Sequence, residues 1–195
     1  MGYALFKEIP TDRSHLLRRW AGKRRQAYLG SLRQFMRSLY YDCPSLEKFS
    51  MQAPRFMPNP EKQRVKKVYN PEFSPDQYLK DSLPYYQKTM EQDDYVYQSL
   101  PVSTNDIVFP RPDGRRVLYF TGTLGVTYED PKMDSVDRYA GLRLVSSTAI
   151  EIQADGGFYP GKELLASGCW ARKEKICNLL PFNYQLSEEE DDNHP

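Results

Sequence analysis

No stretch of this 195-residue chain approaches the roughly 18–20 consecutive apolar residues that a membrane-spanning helix needs. Histidine is scarce: His15 and His194 lie near opposite ends. The cysteines are Cys43, Cys169 and Cys177, an odd number at wide spacings with no CxxC among them. That argues against a secreted disulfide framework and against a four-ligand zinc site of Cys and His, so no metal is expected. The N-terminus lacks the apolar core of a secretory signal. Gly2 invites myristoylation, but Phe6 stands where that motif wants Ser or Thr. These absences point to a reducing, intracellular compartment, cytoplasmic by preference. A mitochondrial or other organelle address competes, because the Arg-rich stretch from Arg13 to Tyr41 carries no acid; Glu8 and Asp12, which precede it, weigh against it.

Acidic residues are missing where basic ones crowd. From Arg13 to Arg37 there are eight cationic side chains and no carboxylate, while Glu188 to Asp192 are five consecutive acids. The net charge of +1 therefore conceals a basic head and an acidic tail, and the asymmetry says more than the mean. Glycine is absent between Ser31 and Asp113, and eight of the eleven fall from Gly114 to Gly168. Proline does the reverse, with ten of fifteen from Pro44 to Pro112. These shifts divide the chain into 1–43, 44–105, 106–186 and 187–195.

The head predicts helix over about residues 12 to 41. Thr11 or Asp12 is the expected N-cap. Leu16, Trp20, Ala27, Leu32, Phe35 and Leu39 recur at helical spacings. Gly22 and Gly30 each weaken a helix by about 1 kcal/mol relative to Ala, which predicts a kink or break, and Pro44 ends it. Residues 44–105 show little periodicity. Three prolines fall within Ala53–Pro60, and six tyrosines lie from Tyr69 to Tyr97. Disordered chains are poor in aromatics, so this reads as an extended arm lying on its own sheet or on a partner, with short helical turns at Ser74–Ser82 and Pro84–Tyr95.

Residues 106–186 predict antiparallel sheet of four to five strands. Ile107-Val108-Phe109 and Arg116–Thr121 flank the turn residues Pro112-Asp113-Gly114. Leu118, Phe120, Leu124, Val126 and Tyr128 form the expected core face, opposite Val117, Tyr119, Thr121 and Thr123. Leu142, Leu144, Ile150 and Ile152 share one parity. Asp155-Gly156-Gly157 turns the chain, and Glu163–Ala171 is a further strand or a short helix. The fold class is α+β.

The densest chemical signal is the basic helix. Arg18, Arg19, Lys23, Arg24 and Arg25, with Arg33 and Arg37 further on, focus attraction for negative charge, and Trp20 and Tyr28 could stack or wedge. The bland alternative is a solvated helix face. The acidic tail is either a solvated end or a clasp onto that helix. Gly122-Thr123-Leu124-Gly125 lacks the spacing and the following Lys of a phosphate loop and reads as strand glycines near a close contact. A Ser–His or Cys–His pair would have to recruit a histidine from a chain end. The carboxylates Glu129, Asp130, Asp134, Asp137, Glu151 and Asp155 fall mostly at predicted turns, where acids usually bind local backbone N–H groups.

The expectation is a non-catalytic structural or adaptor subunit of a large intracellular assembly, without cofactor, docked by the basic helix and the arm on an anionic surface. That partner is a larger protein or ribonucleoprotein assembly: a ribosome-like particle or a cytoskeletal polymer. A sheet zone of about 80 residues supplies only one modest core. The rival is a small β-domain binding an apolar ligand under the arm, in a pocket of Phe120, Tyr128, Phe158 and Trp170. A third reading is an enzyme using the turn carboxylates.

Overall fold

The computed structural model describes residues 10–70, 82–173, 180, 181, 184 and 186. The basic head forms two helices, α1 (Ser14–Tyr28) and α2 (Leu32–Tyr40). The helix runs through Gly22 and breaks at Gly30, which has φ +70 and lies against the Tyr128 ring. Neither expected residue caps α1: the N-cap is Arg13, with no side-chain hydrogen bond. Thr11 Oγ1 instead accepts from Arg13 N–H at 3.3 Å. At α2 the cap is orthodox, with Ser31 Oγ accepting from Gln34 N–H at 3.1 Å. Leu32, Phe35, Met36 and Leu39 follow the i, i+3, i+4, i+7 spacing of one helix face and all enter the core. On α1 only Tyr28 is buried.

The chain continues through β1 (Phe49–Pro58), α3 (Pro60–Val68), α4 (Leu83–Met90), β2 (Tyr95–Pro101) and α5 (Thr104–Ile107). Next come β3 (Val108–Pro110), β4 (Arg116–Leu118), β5 (Thr123–Tyr128), α6 (Ser135–Arg138) and β6 (Tyr139–Leu144). It ends in β7 (Ile150–Ile152), β8 (Phe158–Tyr159), β9 (Leu164–Gly168) and α7 (Cys169–Lys173). The strands make two antiparallel sheets, β2-β1-β5-β6-β9 and β3-β4-β7-β8, so the fold is α+β with sheet in the C-terminal half. The described residues of the stretch expected as an extended arm hold two strands, two short helices and the start of α5. The stretch's second expected helical turn is α4, while Ser74–Ser82 lies, but for Ser82, outside the described residues.

Contacts divide the chain into two units, one of Met1–Ala53 with Pro101–Pro195 and one of Pro54–Leu100. In the larger unit, the expected core face Leu118, Phe120, Leu124, Val126 and Tyr128 is buried throughout, and Val117, expected on the opposite face, is buried as well. They are split between the sheets, because β4 ends at Leu118 and the chain enters the other sheet at Thr123. Leu142 and Leu144 on β6 and Ile150 and Ile152 on β7 bury in the same core from different sheets. The segment Glu163–Ala171 is both strand and helix, and Trp170 at the start of α7 is 1% exposed. Its Nε1 donates to the Gly30 carbonyl at 2.7 Å, so the break between α1 and α2 is fixed by a residue 140 positions away.

The smaller unit has a slender core. Among its described residues only Asn59, Val65 and Thr89 are buried. Asn59 caps α3, its Oδ1 accepting from the N–H groups of Glu61 and Lys62. Lys62 and Lys66 both reach the Asp94 carboxylate, at 3.3 and 2.7 Å, and hydrogen bonds from the two ammonium groups hold that carboxyl below its usual range.

Burial in the main core has a pH consequence. The Tyr128 phenol is pushed up to about 12, chiefly by burial, with the Asp130 carboxylate adding to the rise. An unfolded tyrosine titrates near 10. The native state therefore holds this proton more tightly; the contribution is complete below pH of about 10 and is lost as pH rises toward about 12. Melting temperature should fall across that window, and Tyr128→Phe should remove part of the fall, of the order of 2 kcal/mol. Identical pH profiles for the two proteins would contradict this assignment.

Candidate anion-binding surface

The predicted basic residues separate into two sets. Arg18, Arg19, Lys23 and Arg24 are exposed on α1, and no carboxylate among the described residues pairs with them. Arg25, one turn from the helix end, is half-buried. At 100° per residue, these side chains ring the helix rather than line one face, which leaves the apolar residues Leu16, Leu17 and Trp20 interleaved with charge. Leu17 is half-exposed as a result.

Arg33 and Arg37, on α2, do a different job. Arg33 Nη1 donates to the carbonyls of Leu180 and Pro181, at 2.9 and 2.6 Å. Arg37 Nη1 donates to the Tyr28 hydroxyl at 3.1 Å and the Tyr184 carbonyl at 3.2 Å. The Tyr184 ring meets Tyr28 edge-on at 5.5 Å. Both arginines thus hold the C-terminal segment against the helix pair. Sequence reasoning could not tell them from the exposed cations, because carbonyl acceptors leave no signature in composition.

A cleft of about 690 Å³ opens beside the junction of α1 and α2 in the larger unit. Lys23, Arg24, Arg33, Lys132 and Lys173 contribute cations to its lining, and Asp134 and Asp137 contribute carboxylates. Asp137 is engaged by Arg172 at 3.2 Å and Lys173 at 3.7 Å. The loop residues Lys132, Met133 and Asp134 carry no motif in sequence; they reach the cleft only because the β5–α6 connection folds beside the helices. A second cavity, of about 260 Å³, is lined mainly by the Asn59, Lys62, Lys66 and Asp94 group of the smaller unit.

The four residues expected to line an apolar pocket pack into the core instead. Phe120, Tyr128 and Trp170 belong to the buried cluster, and Phe158 packs against it. Neither of the two cavities is lined by any of them.

The remaining chemical candidates are scattered over separate elements. His15 is exposed on α1, Cys43 is half-buried and Cys169 is buried; burial pushes both thiols up, away from the reactive thiolate. Cys177, His194 and the acidic tail at 187–195 lie outside the described residues. Asp130 accepts from Lys132 N–H, Asp155 accepts from Gly157 N–H, and Glu151 pairs with Arg115 at 3.1 Å. Of the six turn carboxylates, Asp134 and Asp137 share the large cleft. Among the described residues there is no group of three or more His, Cys, Asp or Glu that could hold a metal ion, and no helix long and apolar enough to cross a membrane. Compared with protein-family models, with curated proteins and with solved structures, the chain matches none.

Proposed function

We propose that this protein is a non-catalytic subunit or adaptor of a larger intracellular assembly, docking through α1 on an anionic surface. The observation that carries the reading is α1 itself. A fifteen-residue helix with one buried side chain gains little from tertiary packing, which ordinarily supplies most helical stability. Its exposed cations repel one another until an external anion relieves them. Support also comes from the smaller unit. With so few buried side chains, it exposes Phe56, Tyr95 and Tyr97; Phe56 stacks on Tyr95 at 5.3 Å and packs at a tilt against Tyr97 at 5.1 Å. Exposed aromatics of this kind are common anchors in protein interfaces.

The test is retention on the partner recovered by affinity purification at low and high salt. Replacing Arg18 and Arg19 with Gln should weaken retention and flatten its salt dependence. If the partner is a nucleic acid, the logarithmic salt slope should fall by about 0.9 per lost duplex phosphate contact, or about 0.7 for a single strand. Retention that is the same for both proteins at every salt concentration would leave α1 as a solvated helix and end this reading.

A further inference from the structure

The large cleft has the size and the chemistry of a ligand site. Its volume of about 690 Å³ falls inside the range of about 300–1,000 Å³ typical of small-molecule pockets. Three of its cations have no ion-pair partner among the described residues: Lys23 and Arg24 from α1, and Lys132 from the β5–α6 connection. The other two are engaged, Lys173 by Asp137 and Arg33 by backbone carbonyls. Of the two carboxylates in the lining, Asp137 is engaged, and Asp134, the N-cap of α6, makes no side-chain cap hydrogen bond and no ion pair among the described residues. The site therefore keeps a local excess of positive charge. Between the charged groups lie Ala27, Leu29, Met133 and Leu180, all half-buried.

We propose that the cleft binds a nucleotide unit. A terminal phosphate carries roughly -1.5 to -2 charges and three acceptor oxygens, which suits a lining with three unpaired cations better than a single carboxylate would, and each phosphodiester of a strand brings one negative charge. Asp134 is an acceptor for a sugar hydroxyl. The apolar wall is a surface for a flat ring, with the Met133 thioether able to lie along its edge. The same chemistry has two sources, a free nucleotide or one nucleotide of an RNA strand. In the second case the proposal rests on the anionic-surface reading of α1 and gives that surface its chemical identity, since Lys23 and Arg24 belong to both.

The experiment uses the full chain and four probes: AMP, a short single-stranded RNA, inorganic phosphate and poly-glutamate. Binding is measured by calorimetry for the unaltered protein, for Lys132→Gln, and for Arg18→Gln/Arg19→Gln. Lys132 is exposed and in a loop, so its replacement should leave the fold intact, and Arg18 and Arg19 do not line the cleft. The expected result is saturable AMP binding that Lys132→Gln weakens about tenfold or more and the double variant leaves within about twofold, with inorganic phosphate about tenfold weaker than AMP. RNA that binds more tightly than AMP, with the same loss in Lys132→Gln, identifies the strand as the source; RNA no tighter than AMP identifies the free nucleotide. Absence of saturation by both AMP and RNA at millimolar concentration overturns the proposal. So does affinity unchanged in Lys132→Gln, or inorganic phosphate binding as tightly as AMP. Poly-glutamate binding that needs Arg18 and Arg19, without nucleotide binding, overturns the cleft proposal while leaving the basic helix as the docking element.

Discussion

Replacing Trp170 with Ala should cost the larger unit about 3–5 kcal/mol, the usual range for deleting a buried aromatic side chain. The side chain is 1% exposed, and its ring lies 5.3 Å from that of Phe35 on α2. Removing it takes away the packing that ties α7 to α2 and leaves the buried Gly30 carbonyl without the indole N–H it now receives at 2.7 Å. A conservative second variant separates the two losses. Trp170→Phe keeps much of the apolar volume but still strands the carbonyl, an omission worth about 1–3 kcal/mol. Urea unfolding should show midpoints falling in the order wild type, Trp170→Phe, Trp170→Ala, with similar slopes if only stability has changed. Domains are commonly stable by only about 5–15 kcal/mol, so the alanine variant should stand near the edge of unfolding. A Trp170→Ala midpoint matching the wild type would mean that the α7–α2 contact contributes nothing to the native state.

The parts of this fold that could be read in advance are those with a local cause. The alternation from Leu118 to Tyr128 is set by strand geometry, and every core residue it names is buried. Turn chemistry likewise announced the β3–β4 hairpin around Asp113-Gly114, where Val108 to Pro110 face Leu118 to Arg116. What stayed illegible was assigned by distant contacts. Nothing local says that Leu118 and Leu124 belong to different sheets, because parity continues unbroken while the chain crosses between them. Trp170 could be recognised as apolar but not as the residue that closes the Gly30 break. Among the cations, local sequence could not distinguish Arg18, which faces solvent, from Arg33, whose acceptors lie some 147 positions onward. Lys132 was missed altogether: a single lysine in a turn has no signal until the fold brings it into one cleft lining with Lys23 and Arg24. In residues 54–100, prolines and tyrosines masked short helices whose caps, such as Asn59, carried the better information.

Gly156 offers the second large effect, and it connects the fold to the cleft. It turns the chain between β7 and β8 with φ +84, a conformation that L side chains rarely adopt. It is also packed beneath α2: a Cβ placed there would stand 2.5 Å from the Arg33 carbonyl oxygen and 2.7 Å from Arg33 Cγ. Flexible side chains can move aside, but a helix backbone carbonyl cannot without shifting α2. Gly156→Ala therefore combines left-handed strain of about 1–2 kcal/mol with overpacking of about 1–3 kcal/mol, for an expected loss of about 2–5 kcal/mol. Gly114 is the internal comparison, because it has φ +81 but no atom within 4 Å of its would-be Cβ. Gly114→Ala should show the strain alone, about 1–2 kcal/mol. The difference between the two variants in thermal or urea unfolding then reports the contact with α2. Since the Arg33 side chain lines the cleft and holds the Leu180 and Pro181 carbonyls, Gly156→Ala should also weaken AMP binding at temperatures where the protein remains folded, while Gly114→Ala should not. Equal destabilisation by the two substitutions would show that α2 yields freely to the turn and that the turn does not position Arg33.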